Sequence, residues 1–387
     1  MIYLDNASTS YPKPEAVYKA MDTWMREFNG NSSRGSHKLA MKTSDKIYQV
    51  RESVSKLFNI KEATSVVFTS NTTDSLNIAL KGLLVSGDHV ITTSMEHNSM
   101  VRPIMALQKV GVEHDVVKCD NQGRLNPDSL LEYIRPNTKL IALTHGSNVV
   151  GTIMDIIKIG ALAKKNNIHL LVDAAQTAGV YPIDVQKMNI DLLAVPGHKN
   201  LLGPQGTGIL YVSENIKLTS IKEGGTGSKS ELLTQPEIMP DLLESGTLNT
   251  PGIVGLGAGI DFVLTKGVET IKEREQSLVR HFLHGLRNIN GIKIYGVNEF
   301  YNENSAYEEQ LGVVSINIKN EPASNISYAL DTVFNIATRA GLHCAPFAHK
   351  TLGTLDRGTV RFGLGYFNTK EDIDTTLEAI RRISREV

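Results

Sequence analysis

Lys199 and Asp173 are two residues of this sequence whose types and order along the chain could do chemistry together. Lys199 lies in the glycine-rich segment 197–208, and Asp173 ends the apolar run 170–172. A lysine amine can form an imine with an aldehyde, and a carboxylate can keep a ring nitrogen protonated. Pyridoxal 5′-phosphate (PLP) needs both groups, so the pair predicts a PLP site for chemistry on amino acids. The alternatives are a solvated surface lysine and an aspartate that caps a helix or turn.

A second pattern would suit a phosphate group. Four polar residues lie between the apolar run Val66–Thr69 and a helical stretch that carries Leu76 and Leu80 on one face; they are Ser70, Asn71, Thr72 and Thr73. Hydroxyls and free backbone amides at a helix N-terminus form an anion site. The same residue types are favoured helix caps, so an ordinary N-cap is the alternative.

His97 follows the apolar run that ends at Thr93. A histidine in a loop after a strand could stack on an aromatic ligand and could move protons near neutral pH. The alternative is a capping or surface histidine, since the chain has 11 histidines.

Cys344 lies between Gly341 and Pro346, which predicts a loop, although free cysteines are usually buried. Arg339 and His343 are close in sequence, and positive charge beside a thiol favours the nucleophilic thiolate. We therefore expect Cys344 to be a nucleophile, with a small buried side chain as the alternative. The other cysteine, Cys119, fits the buried role better.

Arg361 lies in an apolar, strand-like segment, residues 358–363. A guanidinium is costly to bury without a partner, and a carboxylate is its natural bidentate partner. The residue therefore predicts either a site for a substrate carboxylate or a structural salt bridge.

The elements that must position these residues alternate between strands and helices up to about residue 215. Six apolar runs are expected to be buried strands: 66–69, 90–93, 140–144, 169–172, 192–195 and 209–212. Nearly continuous apolar runs separated by amphipathic stretches are typical of a mainly parallel α/β sheet with both faces covered.

The pattern changes after about residue 250. One long helical stretch is expected over residues 255–286, followed by strands over Ile292–Tyr295 and Val313–Ile318. Thr369 and Asp372 then form a variant of the capping box that starts a last helix. We expect residues 15–250 to form a large α/β domain, and residues 1–14 and 251–387 to form a smaller α+β domain.

Composition excludes several classes of protein. The 387 residues include 40 Lys and Arg and 41 Asp and Glu, with no basic run that would bind a nucleic acid. No apolar run reaches the roughly 18 residues that span a bilayer. Two distant cysteines and the lack of a signal-peptide pattern favour a reducing, cytoplasmic location. No metal-ligand motif is expected.

Together these motifs resemble the class V aminotransferase family of PLP enzymes, in particular its cysteine desulfurase and selenocysteine lyase members. The resemblance covers nearly the whole chain and also includes segments 3–9, 147–152 and 244–250. It implies fold type I of the PLP-dependent transferases, with a seven-stranded, mainly parallel sheet in the large domain. It also implies a homodimer that acts on cysteine or selenocysteine.

The resemblance implies roles for residues around the cofactor ring. Lys199 would bind PLP covalently and would move the α-proton of the substrate. Asp173 would pair with the ring nitrogen, Gln176 would bond the ring hydroxyl, and His97 would stack on the ring. 

Further roles concern the phosphate and the substrate. Asn148 would contact the cofactor and, with Arg361, the substrate α-carboxylate. Cys344 would attack the sulfur of cysteine, which leaves a persulfide and releases alanine. The groups expected around the phosphate are Ser70, Asn71, Thr72, Thr73 and His198, with Thr226 from a second subunit.

The chain departs from the family pattern in places. Pro196 stands where the family often has a phosphate-binding serine, and Gly203 comes one residue later than is common. The interval between Cys344 and Arg361 is short, as in the SufS-like branch. A short cysteine loop reaches less far, which favours a dedicated sulfur-acceptor protein that docks nearby.

Other functions stay open at this point. A selenocysteine lyase would need Cys344 less, because selenium leaves more readily than sulfur. Another class V reaction, such as transamination or epimerisation, would leave Cys344 without a role. An α/β nucleotide-binding protein without PLP is disfavoured, because the sequence has neither a dinucleotide-binding glycine motif after its early strands nor a P-loop.

Overall fold

The computed structural model describes residues 1–28, 30–31, 37–296 and 310–386. Its first strand, β1 (Ile2–Tyr3), pairs in parallel with β11 (Ile336–Ala337), so the start of the chain lies against its C-terminal part. The largest sheet contains β2 (Val66–Thr69), β3 (His89–Thr93), β4 (Glu113–Val117), β5 (Thr138–Thr144), β6 (His169–Asp173), β7 (Leu192–Pro196) and β8 (Gly208–Val212).

The strand order of this sheet is β2-β8-β7-β6-β5-β3-β4. Strand β8 is antiparallel to both of its neighbours, and the other pairs are parallel. The six strands expected from sequence are confirmed. Strand β4 was not expected because Glu113, His114 and Asp115 make it polar, which a strand at the sheet edge tolerates.

Both faces of the large sheet are covered, as the apolar runs indicated. Val66 and Phe68 of β2 pack into one apolar cluster, whereas Val67 between them packs into another. Alternate residues of a strand point to opposite faces, so the sheet separates two cores. The helices before β8 are α1 (Glu15–Thr23), α2 (Lys38–Phe58), α3 (Thr72–Leu83), α4 (Asn98–Gln108) and α5 (Ile156–Lys165).

The C-terminal part has its own antiparallel sheet of order β12-β13-β10-β9. Its strands are β9 (Ile292–Tyr295), β10 (Val313–Ile318), β12 (Arg339–Gly341) and β13 (Thr359–Gly363), and its helices include α8 (Ala323–Phe334), α9 (Pro346–Thr351) and α10 (Lys370–Glu386). The two expected strands are confirmed. So is the capping box, because Asp372 N donates to Thr369 Oγ1 at 3.1 Å and Thr369 N donates to Asp372 Oδ2 at 3.0 Å.

The expected single helix over residues 255–286 is wrong. It is two helices, α6 (Thr250–Lys266) and α7 (Val268–Arg287), which are bent by 82° relative to each other. Gly267 joins them with φ of 81°, a left-handed conformation that side chains rarely adopt. In the described residues no single helix is long and apolar enough to cross a membrane, and only this bent pair passes by length and composition.

The bend also bears on the domain boundary. Ile253, Leu256 and Ile260 of α6 pack into a core cluster of the large sheet, whereas Leu278 and Phe282 of α7 pack into the C-terminal core. We therefore propose that the division between the two domains lies at Gly267 rather than near residue 250. The assignment of residues 1–14 to the smaller domain stays a prediction.

Replacing Gly267 by Ala tests the role of this bend. The new methyl group has open space around it, since the nearest atom is Thr270 Oγ1 at 3.7 Å. The cost is therefore backbone strain, and we expect the free energy of unfolding to fall by about 1–2 kcal/mol in denaturant titrations. Thr265→Ala, at an exposed helical position two residues earlier, is the control and should not destabilise the protein. Equal stability of Gly267→Ala and wild type would contradict this account.

Candidate active site

The carboxyl ends of β2, β3, β5, β6 and β7 meet at one edge of the large sheet, which is where open α/β sheets bind ligands. A cavity of about 150 Å³ lies there. Nine of the residues singled out in the sequence line it: Asn71, Thr72, Thr73, His97, Asn148, Asp173, Gln176, His198 and Lys199. The fold therefore brings together residues that lie up to 128 positions apart in the sequence, from Asn71 to Lys199, because the carboxyl ends of their strands reach the same edge of the sheet.

Lys199 reaches the cavity from the loop that follows β7. Its backbone carbonyl accepts a hydrogen bond from Ser10 Oγ at 2.7 Å, and the carbonyl of His198 accepts from Lys13 Nζ at 2.6 Å. Gly203 N also donates to the Gly197 carbonyl at 2.8 Å, which closes the loop. The segment at the start of the chain thus fixes the backbone that carries the lysine.

Burial changes the acid–base properties of the central pair. It lowers the pKa of Lys199 to about 8, and the positive charge of Arg361 adds to this effect. Burial also raises the pKa of Asp173 to about 6, against the opposing effects of the Ala175 backbone N–H and the Lys199 charge. A cationic partner at Asp173, such as a protonated ring nitrogen, would favour its ionised form.

Two histidines of the cavity are neutral at pH 7. Burial lowers the pKa of His97 to about 4 and that of His198 to about 4, and the charge of Lys199 acts in the same direction on both. His97 Nδ1 accepts a hydrogen bond from Ser99 N at 3.1 Å, so the ring proton lies on Nε2. His97 is also the N-cap of α4, so the alternative prediction of a capping histidine is confirmed as well.

A buried carboxyl adjoins His97. Burial raises the pKa of Glu96 to about 8, and Thr93 Oγ1 donates to its Oε1 at 2.5 Å. The carboxyl is therefore largely protonated at neutral pH and adds little negative charge near Asp173.

The donors at one end of the cavity fit a phosphate. Thr72 Oγ1 and His198 Nδ1 are buried and have no hydrogen-bond partner among the described residues. They lie at the N-terminus of α3 and after β7, and both line the cavity. Such atoms are costly to bury unpaired, so a ligand with acceptor oxygens would satisfy the hydroxyl and the helix N-terminus. The residues present therefore fit PLP: an amine, a carboxylate and a phosphate-binding helix end.

The Cys344 loop docks on the mouth of this site. Asn98 N donates to the Cys344 carbonyl at 2.8 Å, and Asn148 Nδ2 donates to the His343 carbonyl at 2.8 Å. The thiol is exposed, and Arg339 Nη2 donates to its sulfur at 3.5 Å. His343 and Cys344 have φ of 49° and 57°, so the loop holds both in the left-handed region. The loop conformation expected from sequence is confirmed.

Arg361 is almost fully buried, with its side chain 1% exposed. Nη1 donates to the Asn148 carbonyl at 2.9 Å, and Nη2 donates to Asp5 Oδ1 at 3.0 Å and to Ser8 Oγ at 2.7 Å. Nε has no partner among the described residues. The structural salt bridge, one of the two alternatives, is thus present as Asp5–Arg361, while Nε stays available for a ligand carboxylate.

Four expected site residues do not line this cavity: Cys344 and Arg361, whose places are given above, and Ser70 and Thr226. Ser70 is exposed and lines a neighbouring cavity of about 290 Å³. Thr226 lines a third cavity of about 220 Å³, beside Arg51 and Glu244, and its hydroxyl bonds Ser228. Its assignment to the site of a second subunit stays a prediction.

Sequence reasoning gave no role to three residues at the site. Asp5 and Ser8 bond Arg361, and Lys13 bonds the His198 carbonyl. Burial lowers the pKa of Lys13 to about 8. The available signal was that Asp5 and Ser8 lie in segment 3–9, which the family resemblance includes, but no local pattern shows which distant strand receives these residues.

The aminotransferase class-V family model matches residues 2–376. The chain belongs to this family. A probable cysteine desulfurase from Methanothermobacter thermautotrophicus is 35% identical over 99% of this chain and 94% of its own length. A cysteine desulfurase from Salmonella agona is 32% identical over 100% of this chain and 94% of its own length.

Solved structures agree with these relatives. The apo cysteine desulfurase from Thermococcus onnurineus superposes with a TM-score of 0.92 at 32% identity, covering 100% of this chain and 95% of its own. The cysteine desulfurase CsdA from Escherichia coli gives 0.87 at 28% identity, covering 100% and 95%. The prediction of fold type I with PLP as the cofactor of the family is confirmed.

The lowered pKa of Lys199 predicts how the reactivity of its amine depends on pH. The neutral amine, which is the nucleophilic form, should dominate above about pH 8 instead of above pH 10.5. Competitive labelling of PLP-free protein with acetic anhydride, read by peptide mass spectrometry, should show the reactivity of Lys199 rising with pH with its midpoint near pH 8. Exposed Lys187 is the reference, and a Lys199 profile that coincides with it would contradict the prediction.

Proposed function

We propose that this protein is a PLP-dependent cysteine desulfurase, which converts L-cysteine to L-alanine and keeps the sulfur as a persulfide on Cys344. The observation that carries the proposal is the docking of the Cys344 loop on the Lys199 cavity. One cavity residue, Asn148, bonds both the loop, at the His343 carbonyl, and the buried guanidinium of Arg361. A general class V activity would not need an exposed thiol at this place.

The cavity residues would hold the cofactor at both ends. When bound, PLP supplies an electron sink that weakens the bonds at the α- and β-carbons of an amino acid. Lys199 would hold it covalently, Asp173 would keep its ring nitrogen protonated, and His97 would lie against its ring. Its phosphate would be bound by the helix N-terminus at Thr72 and Thr73, with the Pro196 side of the cavity offering no hydroxyl.

Proton transfer would fall to Lys199. Its pKa of about 8 lies near neutral pH, where a general base is most effective because it both accepts and returns a proton. The charge of Arg361, the second cause of that pKa, belongs to the proposed carboxylate site. Carboxylate binding there would offset the positive charge and raise the basicity of the lysine when substrate is present.

Arg361 and Asn148 would bind the α-carboxylate of the substrate. Nη1 and Nη2 of Arg361 are already used within the chain, which fixes the guanidinium plane, and Nε is open. A carboxylate on a pre-positioned guanidinium forms charge-assisted hydrogen bonds without further ordering of the side chain.

Cys344 would act as the nucleophile on sulfur. Its thiolate forms an S–S bond to the sulfur of the bound cysteine while the Cβ–S bond of the substrate breaks. The electron pair of that bond goes to the substrate carbon, which takes up a proton and leaves as alanine. Arg339 Nη2 donates to this sulfur at 3.5 Å, which places a guanidinium beside the reacting atom.

Two further features belong to the proposal at a finer level. We infer that a sulfur-acceptor protein takes the persulfide, because Cys344 is exposed on a short loop next to the site. That the chain works as a homodimer is inferred from the family resemblance alone. The cytoplasmic location also stays a prediction.

The product assay tests the function directly. PLP-loaded protein given L-cysteine and a reductant should produce alanine and sulfide in equal amounts. Cys344→Ala should lose alanine formation from cysteine by at least about a hundredfold, because removing a covalent nucleophile removes its reaction path. PLP content, read from its absorbance, should stay the same.

Cys119→Ala is the matched control and should turn over cysteine as wild type does. Burial raises the pKa of Cys119 to about 12, so it is not a thiolate under assay conditions. A parallel assay with selenocysteine separates the alternative: turnover of selenocysteine alone, unaffected by Cys344→Ala, would identify a selenocysteine lyase. No alanine from fully PLP-loaded protein would reject the desulfurase.

Arg361→Lys tests the carboxylate site. The variant keeps a positive charge and loses the guanidinium fork, so we expect kcat/KM for cysteine to fall about 10- to 100-fold, as for one charge-assisted hydrogen bond. Cysteamine, which lacks the carboxylate, should bind wild type and variant alike in competition assays. A loss of affinity for both compounds would show that Arg361 has only a structural role.

A further inference from the structure

Ser8 is the centre of a polar cluster that the proposed mechanism does not use. Its hydroxyl donates to Asp5 Oδ1 at 2.8 Å. The Ser8 hydroxyl oxygen also accepts hydrogen bonds from Arg361 Nη2 at 2.7 Å and from Arg339 Nη1 at 3.1 Å. A hydroxyl offers one proton and two lone pairs, so this one is fully used.

The two arginines need such a partner because of the sheet register. Arg339 of β12 lies directly opposite Arg361 of β13 in the antiparallel pair. Like charges directly opposite each other are destabilising, more so where one is buried. Asp5 supplies the counter-charge to Arg361, and Ser8 is the group that both guanidinium ions share.

The two arginines serve different groups of the proposed reaction. Arg361 carries the proposed carboxylate site, whereas Arg339 Nη2 donates to the sulfur of Cys344 at 3.5 Å. With Nη1 fixed on Ser8 and Nη2 on the thiol, the guanidinium of Arg339 has one defined orientation. Without the Ser8 oxygen, its direction toward the sulfur would depend on the weak bond to sulfur alone.

We infer that Ser8 is a positioning residue that couples the two ends of the reaction: it fixes Arg339 against the Cys344 thiol and steadies Arg361 in the carboxylate site. This inference rests on the proposed function and deepens it. It gives the N-terminal segment a role in positioning the nucleophile through Arg339.

Thiol alkylation tests the inference without turnover. In PLP-loaded protein with Cys119→Ala as background, iodoacetamide reports the rate at which Cys344 reacts. We expect Ser8→Ala to lower that rate about tenfold, the effect of one hydrogen bond to a charged group. Ser8→Thr, which keeps the hydroxyl, should restore it. An unchanged rate in Ser8→Ala, or no recovery in Ser8→Thr, would overturn the inference.

A double-mutant cycle shows whether Ser8 acts through Arg339. Ser8→Ala should have little effect on alkylation in an Arg339→Gln background, because the guanidinium that it positions is already absent. An equal loss in both backgrounds would mean that Ser8 does not act through Arg339. Arg339→Lys provides a check that leaves Ser8 in place: it loses the guanidinium fork that donates from Nη1 to the serine and from Nη2 to the thiol, so its alkylation rate should also fall.

Steady-state kinetics with cysteine separate positioning from general damage. Ser8→Ala should lower kcat more than it raises KM, because Arg361 keeps its bonds to Asp5 and Asn148. The control is Ser53→Ala, which removes a serine that also donates to an aspartate, Asp261 at 3.1 Å, outside the cluster of Arg339 and Arg361. It should match wild type in every assay.

The two proposals fail in different ways. A protein that makes no alanine from cysteine rejects the desulfurase, while the alkylation cycle still decides whether Ser8 positions Arg339. A protein that makes alanine and shows no Ser8–Arg339 coupling keeps its function and rejects the role of Ser8.

Discussion

The buried guanidinium of Arg361 is the constraint on which the rest of the site depends. A charge with 1% exposure requires partners, and two other parts of the chain provide them. Asp5 and Ser8 come from the N-terminal segment, Asn148 from the loop after β5, and the arginine itself from β13. Satisfying this one charge therefore joins the large sheet, the C-terminal sheet and the start of the chain at one point.

The charge of Arg361 also acts electrostatically on the titratable residues of the site. The charge of Arg361 helps to lower the pKa values of Lys199 and His97. For Lys199 it is the second largest cause, behind burial; for His97 burial and the charges of Lys199 and Arg339 have larger effects. Low dielectric strengthens such effects, because the surrounding apolar residues screen them less than water does. Burial and nearby charges thus set the protonation of the whole site. His97 is neutral, the pKa of Lys199 lies near neutral pH, and a cationic partner would favour the ionised form of Asp173.

The local features of the fold and of the site could be predicted from the sequence. Apolar runs predicted six strands of the large sheet, and polar residues just after them predicted the lining of the cavity, because parallel strands end at one edge. Gly267 was harder: apolar residues continue through it with helical spacing, so only its positive φ shows that the helix breaks. Strand β4 was hidden because an edge strand needs no continuous apolar run.

Long-range pairing explains the part that sequence could not supply. Asp5 meets Arg361 because Asp5 forms a parallel bridge with Gly363, and Arg339 meets Arg361 because β12 and β13 are in that register. A register shift of one residue would turn every one of these side chains to the other face. The roles of Asp5 and Ser8 therefore depend on the pairing of strands and not on any local motif, whereas sequence proximity alone had placed Arg339 beside Cys344. A cluster of this kind is visible only once burial shows which charges need partners.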